Sequence, residues 1–321
     1  MPAKTSHLNR HLPLEIGQVS SKNLLDFLLA VRGHLKAASM LWMRVLGLPV
    51  LSGVIISAWS DQSARMVGRY CRRNNFTELL LRIDRFGQRW TNRRGGYLLP
   101  LARLPQVVRE LEREHTIAIL LEPLSPYKDC YSLVAVTAPE DRRITIEVVG
   151  PGFDASDILR SDVEPHQRFE VAVSLLGPRR DSPKLPRLTC VHTIRSEDYA
   201  KSVDQRLAKI GARLENPALP NELLKSPAAD HKGLKSSALL FLKKSRQPLL
   251  LKHLPAYTPI PEALVARFVR DVLRMMDGLA SYGIHIGPTT FSASFTSARR
   301  LVFWDFFPAS PREASILYPK P

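Results

Sequence analysis

Cysteine is nearly absent from this chain. The three residues, Cys71, Cys130 and Cys190, lie far apart and never form a CxxC pair, which argues against a disulfide framework and a thiolate zinc site and suits a reducing, cytoplasmic setting. Long apolar runs are missing too. The longest uncharged stretch near the N-terminus, Val45 to Trp59, is shorter than a bilayer crossing and contains Pro49 and Gly53, so no membrane partner is expected. The polar opening, Met1 to Arg10, does not resemble a signal peptide. HExxH, a complete Walker A sequence, a GxSxG elbow and a strict GxGxxG fingerprint are all absent, which removes support for the enzyme classes they mark. There is also no internal repeat, long low-complexity tract or Gly/Ser hinge linker.

Acidic residues are in deficit as well. Against 46 Lys and Arg stand 30 Asp and Glu, a formal charge of +16 that attracts polyanions such as nucleotides, nucleic acid or acidic membranes without choosing among them. What is abundant is material for a core: 321 residues at 45% hydrophobic content suffice for two lobes or one large domain.

Hydrophobic periodicity lays out the elements. After a polar arm over residues 1 to about 20, Leu24, Leu25, Phe27, Leu28, Val31, Leu35 and Ala38 recur at helical spacing, predicting one helix from Ser21 towards Leu46. Gly47 to Val50 breaks it, and Gly53 to Ser57 reads as a short buried strand. Ser60 and Asp61 cap a second helix to about Arg73, followed by a strand from Glu78 to Asp84, a helix from Leu104 to Glu114 and a strand from Ile117 to Leu121. The order is β-α-β-α-β. Tyr131 to Thr137 and Arg143 to Val149 form a hairpin, Glu197 to Leu214 and Pro261 to Gly283 form helices, and Thr290 to Phe295 with Arg300 to Phe307 form a closing strand pair. The run from Lys235 to Lys252 suits either a strand pair or a helix and strand.

Several residues have the chemistry for a ligand site. Arg82 ends an apolar strand, and Arg93, Arg94, Gly95 and Gly96 follow in a basic, flexible stretch: guanidinium forks match phosphate oxygens, and glycine lets backbone amides approach them. A solvated basic loop is the alternative. Glu122, where a strand meets Pro123, suits either an adenine or ribose contact or the capping of a neighbouring helix or a place facing water. Asp154 and Asp157, in the Gly150 to Asp157 turn, suit magnesium binding, acceptor positioning or helix capping, and His166 suits acid–base work or packing. Near the end, Ser292 and Ser294 on one strand face Asp305 on the next, an oxygen set of the kind magnesium takes, or ordinary strand-end polarity.

Taken together, Leu46 to Ile55, the helix after it, and Leu79-Leu80-Leu81-Arg82 resemble the start of an ATP-grasp domain, and the later element order is similar, over roughly Leu46 to Pro308. The resemblance implies an α/β (α+β) fold of two lobes with mainly antiparallel sheets. It implies residues 1–58 as an arm, helix and strand, 59–125 as a small nucleotide-binding lobe, and 126–321 as a large lobe carrying a metal-binding strand pair. It further implies a ligase-like enzyme that uses ATP and Mg²⁺ to activate a carboxylate as an acyl phosphate before nucleophilic attack, its partners being ATP and a carboxylate or amine substrate. Arg82 matches the phosphate contact, Glu122 the adenine-binding hinge and Asp305 the metal site; on that reading Arg93, Arg94, Gly95 and Gly96 join the phosphate contact, Ser294 joins Asp305 at the metal, and Asp154 and Asp157 are the catalytic residues of the loop near the acceptor. The sequence departs from the family pattern at three places: arginine stands at the first basic position where lysine is common, Asp305-Phe306-Phe307 replaces a late acidic-x-asparagine, and the earlier late-strand acid is replaced around Ser292 to Ser294. Two rival readings remain, a nucleic-acid-binding basic protein and an ATP-grasp-like scaffold without turnover.

Overall fold

The computed structural model describes residues 12–86, 97–112, 116–123, 131–138, 143–150, 153, 155–159, 163–172, 188–215, 258–284, 287–296 and 299–308. The class is mixed α/β. The strands form two wholly antiparallel sheets, one of five and one of six strands, in two compact units. The first unit is built mainly from residues up to 124, the second from 125–207 and 249 onward.

In the first unit the strands are β1 (Leu14–Glu15), β2 (Gly53–Ile56), β3 (Glu78–Arg85), β4 (Tyr97–Pro100) and β5 (Thr116–Leu121), in the order β1-β2-β5-β3-β4. β5 is antiparallel to both β2 and β3, so β2 and β3 run parallel with β5 inserted between them. The expected order lacked β4, which turns it into β-α-β-β-α-β. Its helices are α1 (Leu24–Ala30), α2 (Leu35–Val45), α3 (Asp61–Asn74) and α4 (Leu104–Glu112).

β3 and β5 read as nearly continuous apolar runs because both faces of this sheet are covered. On one face Val54, Ile56, Leu79, Leu81, Ile83, Ala118 and Leu120 pack against Val67, Tyr70 and Cys71 of α3 and Leu104, Val107, Val108 and Leu111 of α4. The other face carries Leu80, Arg82 and Asp84 and meets α2. Ser60 caps α3 as expected, its Oγ accepting the Ser63 N–H at 3.2 Å, and Asn75 ends the helix in the left-handed conformation.

The single helix expected from Ser21 to Leu46 is in fact two. Gly33 adopts φ +84°, and a Cβ there would lie 2.3 Å from the Phe86 ring, so the chain turns at a position only glycine fits. The apolar period carries through the break because Leu24, Ala30, Ala37, Met40 and Leu41 all turn inward on either side of it.

The second unit orders its sheet β11-β10-β6-β7-β8-β9, with β6 (Tyr131–Ala138), β7 (Arg143–Val149), β8 (Gln167–Ala172), β9 (Leu188–Thr193), β10 (Thr289–Phe295) and β11 (Leu301–Pro308). The β6–β7 and β10–β11 pairings match expectation. β8 and β9 were not foreseen, although Gln167 to Ala172 alternates in burial as a strand should. A short helix, α5 (Ala155–Leu159), and α6 (Ser196–Glu215) follow β7 and β9. Val134, Val136, Ala138 and Val149 bury one sheet face against Phe153, Ile158, Ile194 and Tyr199. The long helix α7 (Glu262–Ser281) covers the opposite face, where Phe268 stacks on Phe303 at 5.4 Å. Its entry is pinned by the Ile260 N–H, which donates to Gln167 Oε1 at 2.7 Å, and by Tyr131 Oη, which donates to the Thr258 carbonyl at 2.8 Å. The run from Lys235 to Lys252 lies outside the described residues.

Gly53 is the tightest point between β2 and β5: a Cβ there would sit 2.3 Å from the Leu120 carbonyl oxygen, a backbone atom that cannot swing aside. Gly53→Ala is therefore expected to destabilise the first unit by roughly 1–3 kcal/mol, read as a lower urea midpoint at unchanged slope; an unchanged midpoint would refute the packing.

Candidate functional site

The two charged residues at the end of β3 are buried. Arg82 is 7% exposed and Asp84 3% exposed, both under α2. Asp84 Oδ2 accepts the Ala37 N–H at 2.9 Å, which places a carboxylate at the amino end of α2, where His34, the residue before the helix, offers no side-chain cap. The strand backbone is held by the same turn: Lys36 Nζ donates to the Ile83 carbonyl at 2.9 Å, and His34 Nδ1 lies 3.2 Å from the Asp84 carbonyl. Burial depresses the His34 pKa below its usual value, partly offset by that backbone contact. Arg82 Nη1 lies 3.8 Å from Met40 Sδ. Arg82 thus presents a desolvated guanidinium, a group whose attraction for an anion is strengthened where water is scarce.

Glu122 stands elsewhere. Arg82 pairs with Ile119, so Glu122 lies three residues further along β5, about 10 Å, and its alternation places it on the opposite face. There Ser52 Oγ donates to Glu122 Oε2 at 3.0 Å and lies 2.8 Å from Tyr70 Oη. With the serine proton committed to the carboxylate, Tyr70 is the donor to Ser52, giving a chain Tyr70 to Ser52 to Glu122. Burial pushes the Tyr70 pKa up to about 12, which keeps the phenol protonated for that role. The Glu122 N–H donates to the Ser52 carbonyl at 2.9 Å, so this residue braces the β2–β5 end.

In the second unit, Asp305 of β11 stands directly opposite Ser292 of β10, as expected. A register shift between Ser292 and Ala293 makes Trp304 the extra residue, and its indole N–H donates to Ser294 Oγ at 2.8 Å. Ser294 Oγ also lies 3.1 Å from Ser132 Oγ. The hydroxyl of Ser294 is thereby engaged within the sheet, and Ser292, not Ser294, is the serine facing Asp305. Sequence reading missed Thr290. It shares the face of Ser292 by alternation, is fully buried, and its Oγ1 has no hydrogen-bond partner among the described residues. The Thr290-x-Ser292 spacing was its signal. Asp305, Ser292 and Thr290 thus present an oxygen-only donor set with a buried hydroxyl still in need of a partner, which fits a hard cation carried with phosphates and water. No group of three or more His, Cys, Asp or Glu suited to a metal occurs among the described residues.

The row through Asp305 and Ser292 continues across the sheet to Val134, Glu147 and Arg168. Glu147 is almost fully buried and accepts from Arg168 Nε at 3.0 Å and Nη2 at 2.6 Å. Its pKa is raised by burial, with Arg168 opposing the shift. Glu147 is thus an ion-paired member of the sheet.

His166 serves packing. Its ring is fully buried, edge-on to Phe153 and Tyr199 at 4.9 Å each, and Nδ1 accepts the Gly150 N–H at 2.8 Å, which leaves the ring proton on Nε2. Arg93, Arg94, Gly95, Gly96 and Asp154 lie outside the described residues, as does the side chain of Asp157 on α5. Arg82 and Asp305 belong to different units.

No family model matches this chain, and no curated protein matches it. Among solved structures it is similar to the crystal structure of VanG D-Ala:D-Ser ligase from Enterococcus faecalis, at 10% identity and a TM-score of 0.37, covering 88% of this chain and 54% of that one. The chain thus spans about half the length of that structure. No helix among the described residues is long and apolar enough to cross a membrane.

Burial lowers the His166 pKa to about 4. The unfolded chain therefore takes up a proton from about pH 6.5 downward while the folded chain does not until about pH 4. Stability conferred by the neutral ring is complete above pH 6.5 and is lost as pH falls through that window, to the extent of roughly 3 kcal/mol. In urea unfolding at pH 7 and pH 4.5, His166→Gln is expected to lose less stability than the wild type; parallel losses would show that the ring ionises freely.

Proposed function

We propose that this chain is an ATP-dependent ligase-like enzyme that uses Mg²⁺ to activate a carboxylate substrate. The observation that carries the reading is the oxygen donor set on the β10–β11 hairpin, Asp305 opposite Ser292 with the unsatisfied buried Thr290 hydroxyl beside them. A single carboxylate completed by phosphates and water is a common way of holding magnesium. The sequence resemblance places a metal-holding carboxylate on this last strand and a phosphate-binding cation at Arg82, and the buried guanidinium there supports that assignment.

On this reading Asp305, assisted by Ser292 and Thr290, holds Mg²⁺, which neutralises phosphate charge when bound. Arg82, with Arg93 and Arg94, draws the terminal phosphates into position, and Gly95 and Gly96 let backbone amides reach them. The substrate carboxylate oxygen attacks the γ-phosphorus, the bond to the β,γ-bridging oxygen breaks, and ADP leaves with an acyl phosphate formed. An amine or a second nucleophile then displaces inorganic phosphate from the acyl carbon. Alignment of the attacking oxygen and stabilisation of the dispersed phosphoryl charge carry the catalysis. Asp154 and Asp157 orient the acceptor, and Glu122 stands where the chain leaves β5 towards the adenine end.

ATP at 100 times its dissociation constant is expected to stabilise the protein by about 2.7 kcal/mol, seen as a rise of several degrees in the thermal midpoint. Mg²⁺ should enlarge that rise. Arg82→Ala should reduce the response with and without metal, whereas Asp305→Ala should abolish only the Mg²⁺-dependent part. Absence of any ATP response, or variants that respond as wild type, would overturn the assignment.

A further inference from the structure

The helical layer on the far side of the first sheet carries a different chemistry. Arg65, Arg69 and Arg72 of α3 are exposed at spacings of four and three residues, so they share one sector of the helix about 60° wide with neighbours about 6 and about 4.5 Å apart along its axis. None of the three has a carboxylate partner among the described residues. Arg73, the next residue, is spent differently: it pairs with Glu15 and lies over the Tyr70 ring at 5.9 Å. α4 packs on the same sheet face and adds exposed Arg103, just before it, and Arg109. Opposing them are Asp61, one turn before Arg65, and Glu112, which is engaged with the Trp59 N–H.

The rest of α3 is anchored. Val67, Tyr70 and Cys71 are buried in the core, and the exposed large hydrophobic side chains of the described residues, Leu25, Leu29, Leu35, Phe86, Val191 and Tyr282, all lie off α3 and α4. A helix that lies on a lipid surface inserts an apolar face, and this one has none to spare. What it offers is a row of guanidinium groups on one helix, without carboxylate partners among the described residues, in a chain of net charge +16. Such a row suits a repeating array of phosphates, where each contact releases condensed counterions.

We propose that the outer face of α3, through Arg65, Arg69 and Arg72 with support from Arg103 and Arg109, binds the phosphate backbone of a nucleic acid without reading its sequence. This face lies on the opposite side of the sheet from Arg82, so the surface is separate from the phosphate contact assigned to Arg82 and stands whether or not that assignment does.

The test is fluorescence anisotropy of the full chain with a labelled 20-nucleotide polyuridine at several salt concentrations, alongside vesicles of 3:1 phosphatidylcholine and phosphatidylserine. The triple variant Arg65→Gln/Arg69→Gln/Arg72→Gln is compared with Arg267→Gln/Arg270→Gln/Arg299→Gln, which removes the same charge from exposed positions of the second unit. The wild type should bind RNA with a logarithmic affinity that falls linearly with the logarithm of salt. The α3 triple variant should lose at least about tenfold in affinity, with a slope shallower by about 2, as expected for three lost phosphate contacts. The control triple should stay near wild type, and the thermal response to ATP should be the same in all three proteins. Equal losses in both triples, an unaffected α3 variant, binding to vesicles but not RNA, or no RNA binding at low salt would each overturn the proposal.

Discussion

The first unit depends on one carboxylate. Asp84 sits at the end of β3, buried, and its oxygen takes the Ala37 N–H at the start of α2. A carboxylate is costly to bury unless its charge is met by donors, and the amino end of a helix supplies both donors and a favourable dipole. The contact seats α2 on this sheet face. With α2 in place, Arg82, two residues earlier on the same face, is covered as well, and its cation is withdrawn from bulk water. The candidate phosphate contact therefore owes its electrostatic character to a helix-capping interaction.

The second unit answers the same constraint through register. A sheet covered on both faces must satisfy every polar side chain inside it, and Glu147 with Arg168, Ser294 with Trp304 and Ser132, and His166 with the Gly150 amide all do so. Among the described residues the hydroxyls of Thr145 and Thr290, in one row across the sheet, do not, and Thr290 lies beside Ser292 and Asp305. Of these two hydroxyls, Thr290 is the one next to the Asp305 hairpin, where a ligand held by that carboxylate could satisfy it.

The two faces of the first sheet divide labour. One buries Arg82 and Asp84 beneath α2, and the other turns a row of arginines outward from α3. A sheet flanked by helices on both sides allows this separation, because side chains alternate between faces along each strand and each helix has its own outer side.

Many strand and helix positions could be read directly from the chain, because period and capping residues are local signals: Ser60 and Asp61 marked α3, and the β10–β11 pairing followed from two apolar runs around a short turn. Local signals failed at the α1–α2 break, where inward-facing residues keep helical spacing through Gly33 and only the Phe86 ring, more than fifty residues away, explains the glycine. They also failed for β4, for β8 and for β9, whose exposed residues lack the alternation that burial produces. The residue types of the candidate site, Arg82, Glu122 and Asp305, were visible in the sequence by itself. Tertiary structure alone decided that Arg82 and Glu122 fall on opposite faces, that Ser292 and not Ser294 meets Asp305, and that Thr290 lacks a partner, because face, register and satisfaction depend on which strands become neighbours and not on the order of residues within one.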